Sequence, residues 1–478
     1  MANYFQNMVN NFGAWMAAQI APHINDRLGA GYNVLSHYYS GDHRPQLKRK
    51  EGATDDNITQ NFIGLAVDRS VSRLFRGGVQ FNLPEGADAQ QEYIDRVWDL
   101  NKKEILLYQV GLHGAVYGTP YMKIVPDGIL DPYTDELYPR LIALDPEITR
   151  LKTDPMDMAE IESYIIEYMF IRDDKEVRYR EVTRHSKMED YKFDEGEEVS
   201  ERDTWIVEEF EQVGGAQWQL VRREEFPYNF PPILHFKNLP SLKSPYGDSD
   251  IDDAINLQDK SNFIASNTGK IIKFHAHPEV IGTGFSAANM ESVDSAVGTF
   301  RSITNENAKV FTLEMESDLG SSLKFGEGLR QSIFDISREV DISSMKDNVG
   351  ALTNFGLHVL YTDALDKNDT KRQLYGDAIK ELNRRLLVMK GWEKLKSDPG
   401  KITWGSPIVE NVMEELQADG IALDKGIIDL ETVTKRYQNR YGVDYETIQA
   451  NLTNQKRAKA ETDTIGADIL RRRFNQGQ

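Results

Sequence analysis

The densest group of potentially reactive side chains is a run of aspartates near the middle of this 478-residue chain. Four of them lie within six residues, at Asp248, Asp250, Asp252 and Asp253. Carboxylates this close together can bind a divalent cation. They also stabilise the start of a helix, where backbone N–H groups lack partners and the helix dipole is positive. A helix explains the aspartates without an ion, so we predict one over residues 248–273, capped by Asp248, Ser249 or Asp250.

A second candidate for chemistry is the histidine pair His275 and His277. On a strand, residues two apart share one face, and two zinc ligands can be arranged in that way. No third ligand lies nearby in the sequence, so we interpret the pair as surface or interface histidines. The chain contains no cysteine, which excludes disulfides, thiolate metal sites and cysteine nucleophiles. We therefore predict no metal site.

Sequence motifs of the common catalytic sites are absent. A phosphate-binding loop needs a glycine five residues before its Gly-Lys pair, but Ile264 stands there before Gly269-Lys270, and Leu395 before Gly400-Lys401. Neither a Gly-x-Ser-x-Gly turn nor a His-Glu-x-x-His motif occurs. We predict no catalytic residues and no cofactor. One enzymatic alternative stays open, a metal-dependent hydrolase of glycans or nucleic acids that uses acidic residues of the β-rich region.

The overall charge argues against tight binding of nucleic acid. With 76 acidic and 56 basic residues the net charge is −20, which repels a phosphate backbone wherever the acids face it. This balance excludes a sequence-reading DNA clamp but permits a surface along which DNA slides, because each neutralised phosphate adds affinity and therefore friction. No run of about 18 uncharged apolar residues is present, and residues 1–21 lack the basic start of a signal peptide. We predict no membrane partner.

The elements that must position these side chains follow both helical and β patterns. Apolar residues at helical spacing predict helices over residues 1–40, 57–75 and 93–108. Alternating and β-branched segments predict strands over residues 79–83, 162–171, 177–185, 204–212 and 217–222. Acidic runs such as residues 194–198 are interpreted as hairpin tips between the strands. The predicted fold class is α+β.

The second half of the chain has a different order of elements. The helix over 248–273 and a second one over 331–344 enclose a glycine-containing module at 279–330. After a break at 346–354, one apolar stripe predicts a helix of about 35 residues to Met389, roughly 50 Å long. Helices over 407–419, 429–440 and 444–474 follow. This order suits a conduit better than a catalytic pocket, and it predicts a ring with a central channel.

Short motifs occur in a fixed order along the chain. They are 38–43 (Tyr-Tyr-Ser-Gly-Asp-His), Asn57 and Asn61 with Val67-Asp68 before 75–79 (Phe-Arg-Gly-Gly-Val), 114–118 (Gly-Ala-Val-Tyr-Gly), 144–146 (Leu-Asp-Pro), and 230–238 with 247–251. In this order they resemble the portal proteins of long-tailed bacteriophages over most of the chain. At Leu257-Gln258-Asp259 the sequence is more polar than the stem helix of that family.

The resemblance implies a portal-type subunit with an α/β wing, a two-helix stem, a small α/β clip and an all-helical crown, assembling into a ring. By position it implies a wing at 1–245, stem helices at 246–275 and 331–345, a clip at 276–330, a tunnel loop at 346–354, a long wing helix with its return at 355–404, and a crown at 405–478. The implied loop residues at the DNA channel are Lys346, Asp347, Asn348, Val349, Gly350, Thr353 and Asn354.

The same resemblance implies a function and partners. Portal proteins form a ring, usually of about twelve subunits, at one capsid vertex, and double-stranded DNA is packaged and ejected through it. The implied partners are further copies of the chain, DNA, the terminase large subunit, the major capsid protein with scaffold, and a head-completion or adaptor protein. Assembly in the host cytoplasm would precede a role in the virion. A purely structural capsid or baseplate subunit is the remaining alternative.

Overall fold

The computed structural model describes residues 30–48, 55–154, 156–186, 204–242, 244–276, 280–283, 309–312, 319–341, 354–392, 398–408, 412–434 and 447–455. The chain divides into two compact units. The first comprises residues 1–349 and 360–408, and the second comprises residues 350–359 and 409–478. Helices and strands both contribute, which confirms the predicted α+β class.

The described helices are α1 (Ala30–Ser40), α2 (Phe62–Leu74), α3 (Asp88–Leu100), α4 (Lys103–Tyr117), α5 (Ile255–Ala276), α6 (Leu319–Ile336), α7 (Asn354–Leu360), α8 (Thr362–Met389) and α9 (Val412–Asp424). The strands are β1 (Val79–Asn82), β2 (Tyr121–Leu130), β3 (Leu137–Leu144), β4 (Thr149–Thr153), β5 (Ile161–Arg172), β6 (Lys175–His185), β7 (Trp205–Val213), β8 (Gln219–Phe226), β9 (Ile233–His235), β10 (Val280–Thr283), β11 (Lys309–Thr312) and β12 (Lys401–Trp404).

A five-stranded antiparallel sheet has the order β4-β5-β6-β7-β8. Each strand pairs with its neighbour in sequence, so hairpins alone build this sheet. The strands predicted over 162–171, 177–185, 204–212 and 217–222 correspond to β5, β6, β7 and β8, and all four are confirmed. The edge strand β8 is exposed along most of its length, and its charged run, residues 222–225, discourages pairing with other chains.

The largest core packs helices against a three-stranded sheet of order β3-β2-β9. Trp98 of α3 donates its indole N–H to Asn383 Oδ1 of α8 at 2.8 Å, and Leu382 and Leu386 are fully buried in the same cluster. Strand β1 pairs with β12 across more than 300 residues of sequence. The chain after residue 360 therefore completes a core that residues 62–144 begin.

A second core joins α1, α2, α4, α6 and the segment before α5. Tyr38, Ile63, Val71, Ile251 and Ile333 are buried in it. Because Ile251 precedes α5 and Ile333 lies in the last turn of α6, this core fixes the start of one central helix and the end of the other against α2.

Close backbone contacts place the segment before α5 against the end of α4. Gly118 follows α4 with φ +82°, and a Cβ there would lie 2.3 Å from the carbonyl oxygen of Gly247. A Cβ on Gly114 would lie 1.7 Å from the hydroxyl oxygen of Tyr375 in α8. The approach of these three segments therefore requires glycine at both positions.

Several predicted helices are divided or shortened. The helix predicted over 93–108 is wrong as one element, because α3 ends at Leu100 and Lys102 adopts the left-handed region with φ +54° before α4. The long helix predicted after the break is interrupted at Tyr361, where ψ is 9°. The uninterrupted part, α8, has 28 residues and a length of about 42 Å. The helix predicted from Asn57 begins at Phe62, where Asn61 caps it by accepting a hydrogen bond from the Gly64 N–H.

The two central helices are displaced from their predicted positions. Helix α5 begins at Ile255 instead of Asp248, because residues 247–251 fold against α4. Helix α6 begins at Leu319, inside the module predicted to be a clip, and ends at Ile336 before Arg338 takes φ +52°. A Cβ added at Gly326 would lie 3.7 Å from Ile264, so α6 and α5 pack closely there. Within the described part of that module, β10 and β11 form an antiparallel pair.

In the second unit, α9 covers much of the first predicted tail helix but continues through Gly420, where the sequence predicted its end. Gly426, with φ +67°, follows its last turn instead. Asp429 accepts a hydrogen bond from the Thr432 N–H at 2.7 Å, as expected at the start of the next helical segment, and residues 447–455 are also helical.

Candidate functional site

Of the predicted channel residues, Lys346, Asp347, Asn348, Val349, Gly350 and Thr353 lie outside the described residues. Asn354 is described, and it is the first residue of α7 instead of a loop residue. The described residues that come nearest before the predicted loop are 337–341, which follow α6. The groups that hold this segment are therefore the candidate site.

Two cationic side chains bind backbone carbonyl groups of this segment. Arg69 of α2 donates to the carbonyl oxygen of Val340 at 2.8 Å. Lys367 of α8 donates to the carbonyl oxygen of Ser337 at 2.9 Å. Ser337 directly follows the last residue of α6, where carbonyl groups lack intrahelical partners. The two cations therefore hold the segment at Ser337 and at Val340, on either side of Glu339.

A buried ion pair holds the same segment to α2. Arg73 donates to both carboxylate oxygens of Glu339, at 2.8 and 2.6 Å, and the two side chains are 8% and 0% exposed. The guanidinium also lies over the ring of Tyr361, 5.4 Å from its centroid. A bidentate pair of this kind fixes the orientation of both groups as well as their separation.

Asp250 lies at the centre of a second buried group of charges, where its carboxylate bonds to four side chains. The contacts are to Lys371 Nζ at 2.5 Å, Lys367 Nζ at 3.2 Å, Ser70 Oγ at 3.0 Å and Asn238 Nδ2 at 2.9 Å. The prediction that Asp250 caps α5 is therefore not fulfilled, since the helix starts five residues later. Its carboxylate joins α2 and α8 instead.

Arg73, Asp250, Glu339, Lys367 and Lys371 together form what we call the junction cluster. All five side chains are at most 8% exposed, and three cations face two anions. Burial lowers the pKa of Lys371 to about 8, and Lys367 adds to that effect while Asp250 opposes it. Burial alone would raise the pKa of Asp250, but Lys367 and Lys371 outweigh it and hold that pKa well below its usual range.

A polar ladder fixes α5 to the residues before α2. Gln258, Asn262 and Ser266, each four residues apart on α5, are buried. They bind main-chain groups two residues apart, since Phe62 N–H donates to Gln258 Oε1, Gln60 N–H to Asn262 Oδ1 and Ile58 N–H to Ser266 Oγ. The spacings match because four helical residues rise about 6 Å and two extended residues about 6.6 Å. The polar segment Leu257-Gln258-Asp259 thus has a structural role.

Acidic residues of the β-rich region are largely engaged by cations. Glu181 pairs with Lys123, Glu208 with Arg184 and Glu167 with Arg180. Across the described ranges no group of three His, Cys, Asp or Glu side chains could hold a metal ion, and residues 194–198 lie outside those ranges. The structure therefore offers the hydrolase alternative no metal site among the residues it describes.

Nearly the whole chain matches one known protein family. A family of phage portal proteins, described as SPP1 Gp6-like, matches residues 20–466. The chain belongs to the phage portal protein family. The match confirms the resemblance inferred from the motifs, and it includes the junction cluster and the predicted loop. A search among curated proteins found no match.

Membership of the portal family carries general consequences for this chain. The family is structural and not enzymatic, and its members form homo-oligomeric rings that associate with capsid and terminase at a capsid vertex. Among the described helices of this portal protein, none is long and apolar enough to cross a membrane.

The junction cluster was missed at the level of sequence. A signal for it does exist, because Lys367 and Lys371 interrupt the apolar stripe of α8 between Ala364 and Tyr375 at helical spacing. Lysines on the buried face of a helix need an anionic partner nearby. The sequence does not identify that partner, because Asp250 is more than a hundred residues away.

Proposed function

We propose that this chain is the subunit of a ring-shaped channel, at one vertex of the capsid, through which double-stranded DNA is packaged and ejected. The observation that carries the proposal is the family match over nearly the whole chain. The order of α5, β10, β11, α6 and α8 supports it, since two packed helices with a small insert and a long helix are the parts expected of stem, clip and wing.

The proposed domain bounds are a wing at 1–245, stem helices at 246–275 and 331–345, a clip at 276–330, a tunnel loop at 346–354, a wing helix with its return at 355–404 and a crown at 405–478. The position of α6 favours extending the second stem helix back to Leu319 and ending the clip before it. β10 and β11 would then be the part of the clip that is described.

Ring formation is supported by apolar side chains that α5 and α6 leave exposed. Ile272 is 52% exposed, Leu323 58%, Phe325 57% and Ile336 48%. Such a concentration on two neighbouring helices is expected where further copies of the chain cover it. We propose a ring of about twelve subunits, assembled through these helices and α8.

The channel surface would include the loop residues Lys346, Asp347, Asn348, Val349, Gly350, Thr353 and Asn354. Lys346 would meet the phosphate backbone and Asp347 would limit the attraction, while the amide and hydroxyl groups exchange hydrogen bonds with passing DNA. The net charge of −20 supports weak contact, because few neutralised phosphates mean little friction.

The proposed partners follow from this role. The terminase large subunit would dock at the clip during packaging, and a head-completion or adaptor protein would replace it afterwards. The major capsid protein and scaffold would surround the ring during assembly in the host cytoplasm, before it functions in the virion.

The experiment that tests the proposal is electron microscopy of the purified protein with two-dimensional averaging, supported by native mass. We expect a ring with a central hole wide enough to admit a DNA duplex. If free subunits stay monomeric, the measurement is repeated with scaffold and capsid protein present. Failure to form rings under both conditions contradicts the proposal, and a ring without a duplex-wide hole favours a purely structural capsid or baseplate subunit.

A further inference from the structure

The side chain of Lys367 contacts the residues on either side of the segment that contains α5, β10, β11 and α6. Asp250 lies just before this segment and Ser337 just after it. The ammonium group of Lys367 lies 3.2 Å from Asp250 Oδ1 and 2.9 Å from the carbonyl oxygen of Ser337. The residues before α5 and after α6, which we call the roots of the helix pair, are therefore both bonded to Lys367 in α8.

The surroundings of Lys367 restrict the position of its ammonium group between Asp250 and Ser337. Lys371, one turn further along α8, donates to Ser70 Oγ at 3.1 Å and contacts the second carboxylate oxygen of Asp250. The side chains of Lys367 and Asp250 are 5% and 3% exposed, so water cannot readily replace these contacts. Directional bonds in a buried site admit one arrangement, whereas apolar packing of the same volume tolerates several.

We propose that Lys367 is a positioning residue, which fixes the roots of α5 and α6 on α8 so that the helix pair and α8 move as one body. The bond to Asp250 places the start of α5, and the bond to Ser337 places the end of α6. The junction cluster thereby transmits displacement of the helix pair to α8. Only the consequence for DNA packaging rests on the proposed channel function.

Substitution of Lys367 tests this role without leaving an unpaired buried charge. In Lys367→Met the carboxylate of Asp250 keeps Lys371, and Glu339 keeps Arg73, so two cations face two anions. The variant is therefore expected to fold and to assemble. Lys367→Arg keeps a cation at this position and serves as the conservative rescue, and Lys367→Gln replaces the methionine variant if that one fails to assemble.

The readout is a distance between α6 and α8 in the assembled protein. Because the chain has no cysteine, the exposed positions Glu327→Cys on α6 and Gln373→Cys on α8 can carry two spin labels uniquely. Labelled chains are diluted with unlabelled ones so that a ring contains at most one labelled subunit. Pulsed electron spin resonance then gives the distribution of the distance between the two labels.

We expect a narrow distribution for the labelled parent, roughly a doubling of its width or a shift for Lys367→Met, and recovery of the narrow distribution for Lys367→Arg. Lys380→Met, on the same helix with a side chain that is 41% exposed, is the matched control and keeps the narrow distribution. An unchanged distribution in Lys367→Met overturns the proposal.

A second arm separates this inference from the proposed function. Phage carrying Lys367→Met are scored for the length of packaged DNA and for its retention. Altered distances together with a loss of packaging support both the positioning role and its link to the channel. Altered distances with normal packaging support the positioning role and overturn the link.

Discussion

At the scale of single residues, Asp250 shows how neighbours decide the role of a side chain. Its place at the head of a polar helix start favours a cap, yet two lysines of α8 and the side chains of Ser70 and Asn238 use its carboxylate instead. A buried carboxylate without partners is costly, and so is a buried lysine. Together they form a stable group that fixes three segments of the chain.

The lowered pKa of Lys371 leads us to expect that the stability of the folded protein depends on pH. Its pKa is about 8 in the folded protein and near 10.5 in the unfolded chain, so between these values the unfolded chain binds more protons. Stability contributed by this group therefore rises as pH increases through that window. We expect the free energy of unfolding of the parent to gain on the order of 2 kcal/mol relative to Lys371→Met between pH 8 and 10. Denaturant titrations at both pH values measure the difference.

The control for this measurement is Lys380→Met, since Lys380 lies on the same helix and is partly exposed. This variant measures how far the removal of a partly exposed lysine from α8 by itself changes the free energy of unfolding at each pH. Parallel profiles of the parent and Lys371→Met would show that Lys371 titrates alike in the folded and unfolded chains, which contradicts the expected proton release.

Lys346 gives a residue-scale test of the proposed channel. Replacing it with glutamate reverses the charge that we expect to meet phosphate, so repulsion should reduce DNA packaging or retention while rings still form. The expected result is a severalfold lower yield of DNA-filled heads, measured by genome quantification of purified particles. Lys175→Glu, at the exposed first residue of β6, is the control for general charge effects. Normal genome filling in Lys346→Glu rejects the role of this residue.

At the scale of elements, the ladder between α5 and residues 58–62 explains a polar helix inside a packed unit. Asn262 accepts from the Gln60 N–H at 2.9 Å and its amide contacts His43 Nδ1 at 2.8 Å. Each rung joins a main-chain N–H of residues 58–62 to a buried side chain of α5. The ladder thus fixes the rotation of α5 about its axis, which apolar packing alone would leave less defined.

We expect that removing one contact of the ladder, between Asn262 and the Gln60 N–H, measurably lowers the stability of the protein. Asn262→Ala leaves the Gln60 N–H without its acceptor, and we expect the free energy of unfolding to fall by about 1–3 kcal/mol. Lys270→Ala, at an exposed position of the same helix, should change it by less than about 0.5 kcal/mol. Equal effects of the two variants in denaturant titrations would show that the ladder contributes nothing specific.

At the scale of the whole molecule, the corrected bounds of α6 define a cleaner deletion of the proposed clip. Removing residues 284–308 and joining β10 to β11 with a short flexible linker leaves both central helices intact. We expect rings that no longer bind the terminase large subunit, because the docking surface is lost while the interface between subunits remains. Co-sedimentation of rings with terminase measures this, and unchanged binding would reject the clip assignment.

Local patterns in the sequence determined the strands of the large sheet, the protein family and several exclusions of chemistry. Alternation within single segments predicted β5, β6, β7 and β8, because a sheet of consecutive hairpins needs only contacts between neighbours in sequence. The ordered motifs identified the portal family, which the match over residues 20–466 confirms. The absence of cysteine excluded disulfides and thiolate sites, and the net charge of −20 argued against tight binding of DNA.

Contacts between distant segments decided the rest. The pairing of β1 with β12 joins segments more than 300 residues apart, which a local pattern does not encode. The interruptions at Lys102 and Tyr361 and the start of α6 at Leu319 also differ from what the apolar spacing predicted. The junction cluster is the clearest case, since Arg73, Asp250, Glu339 and Lys367 come from four separate parts of the chain. Only folding brings their charges within bonding distance, and only burial makes that pairing obligatory.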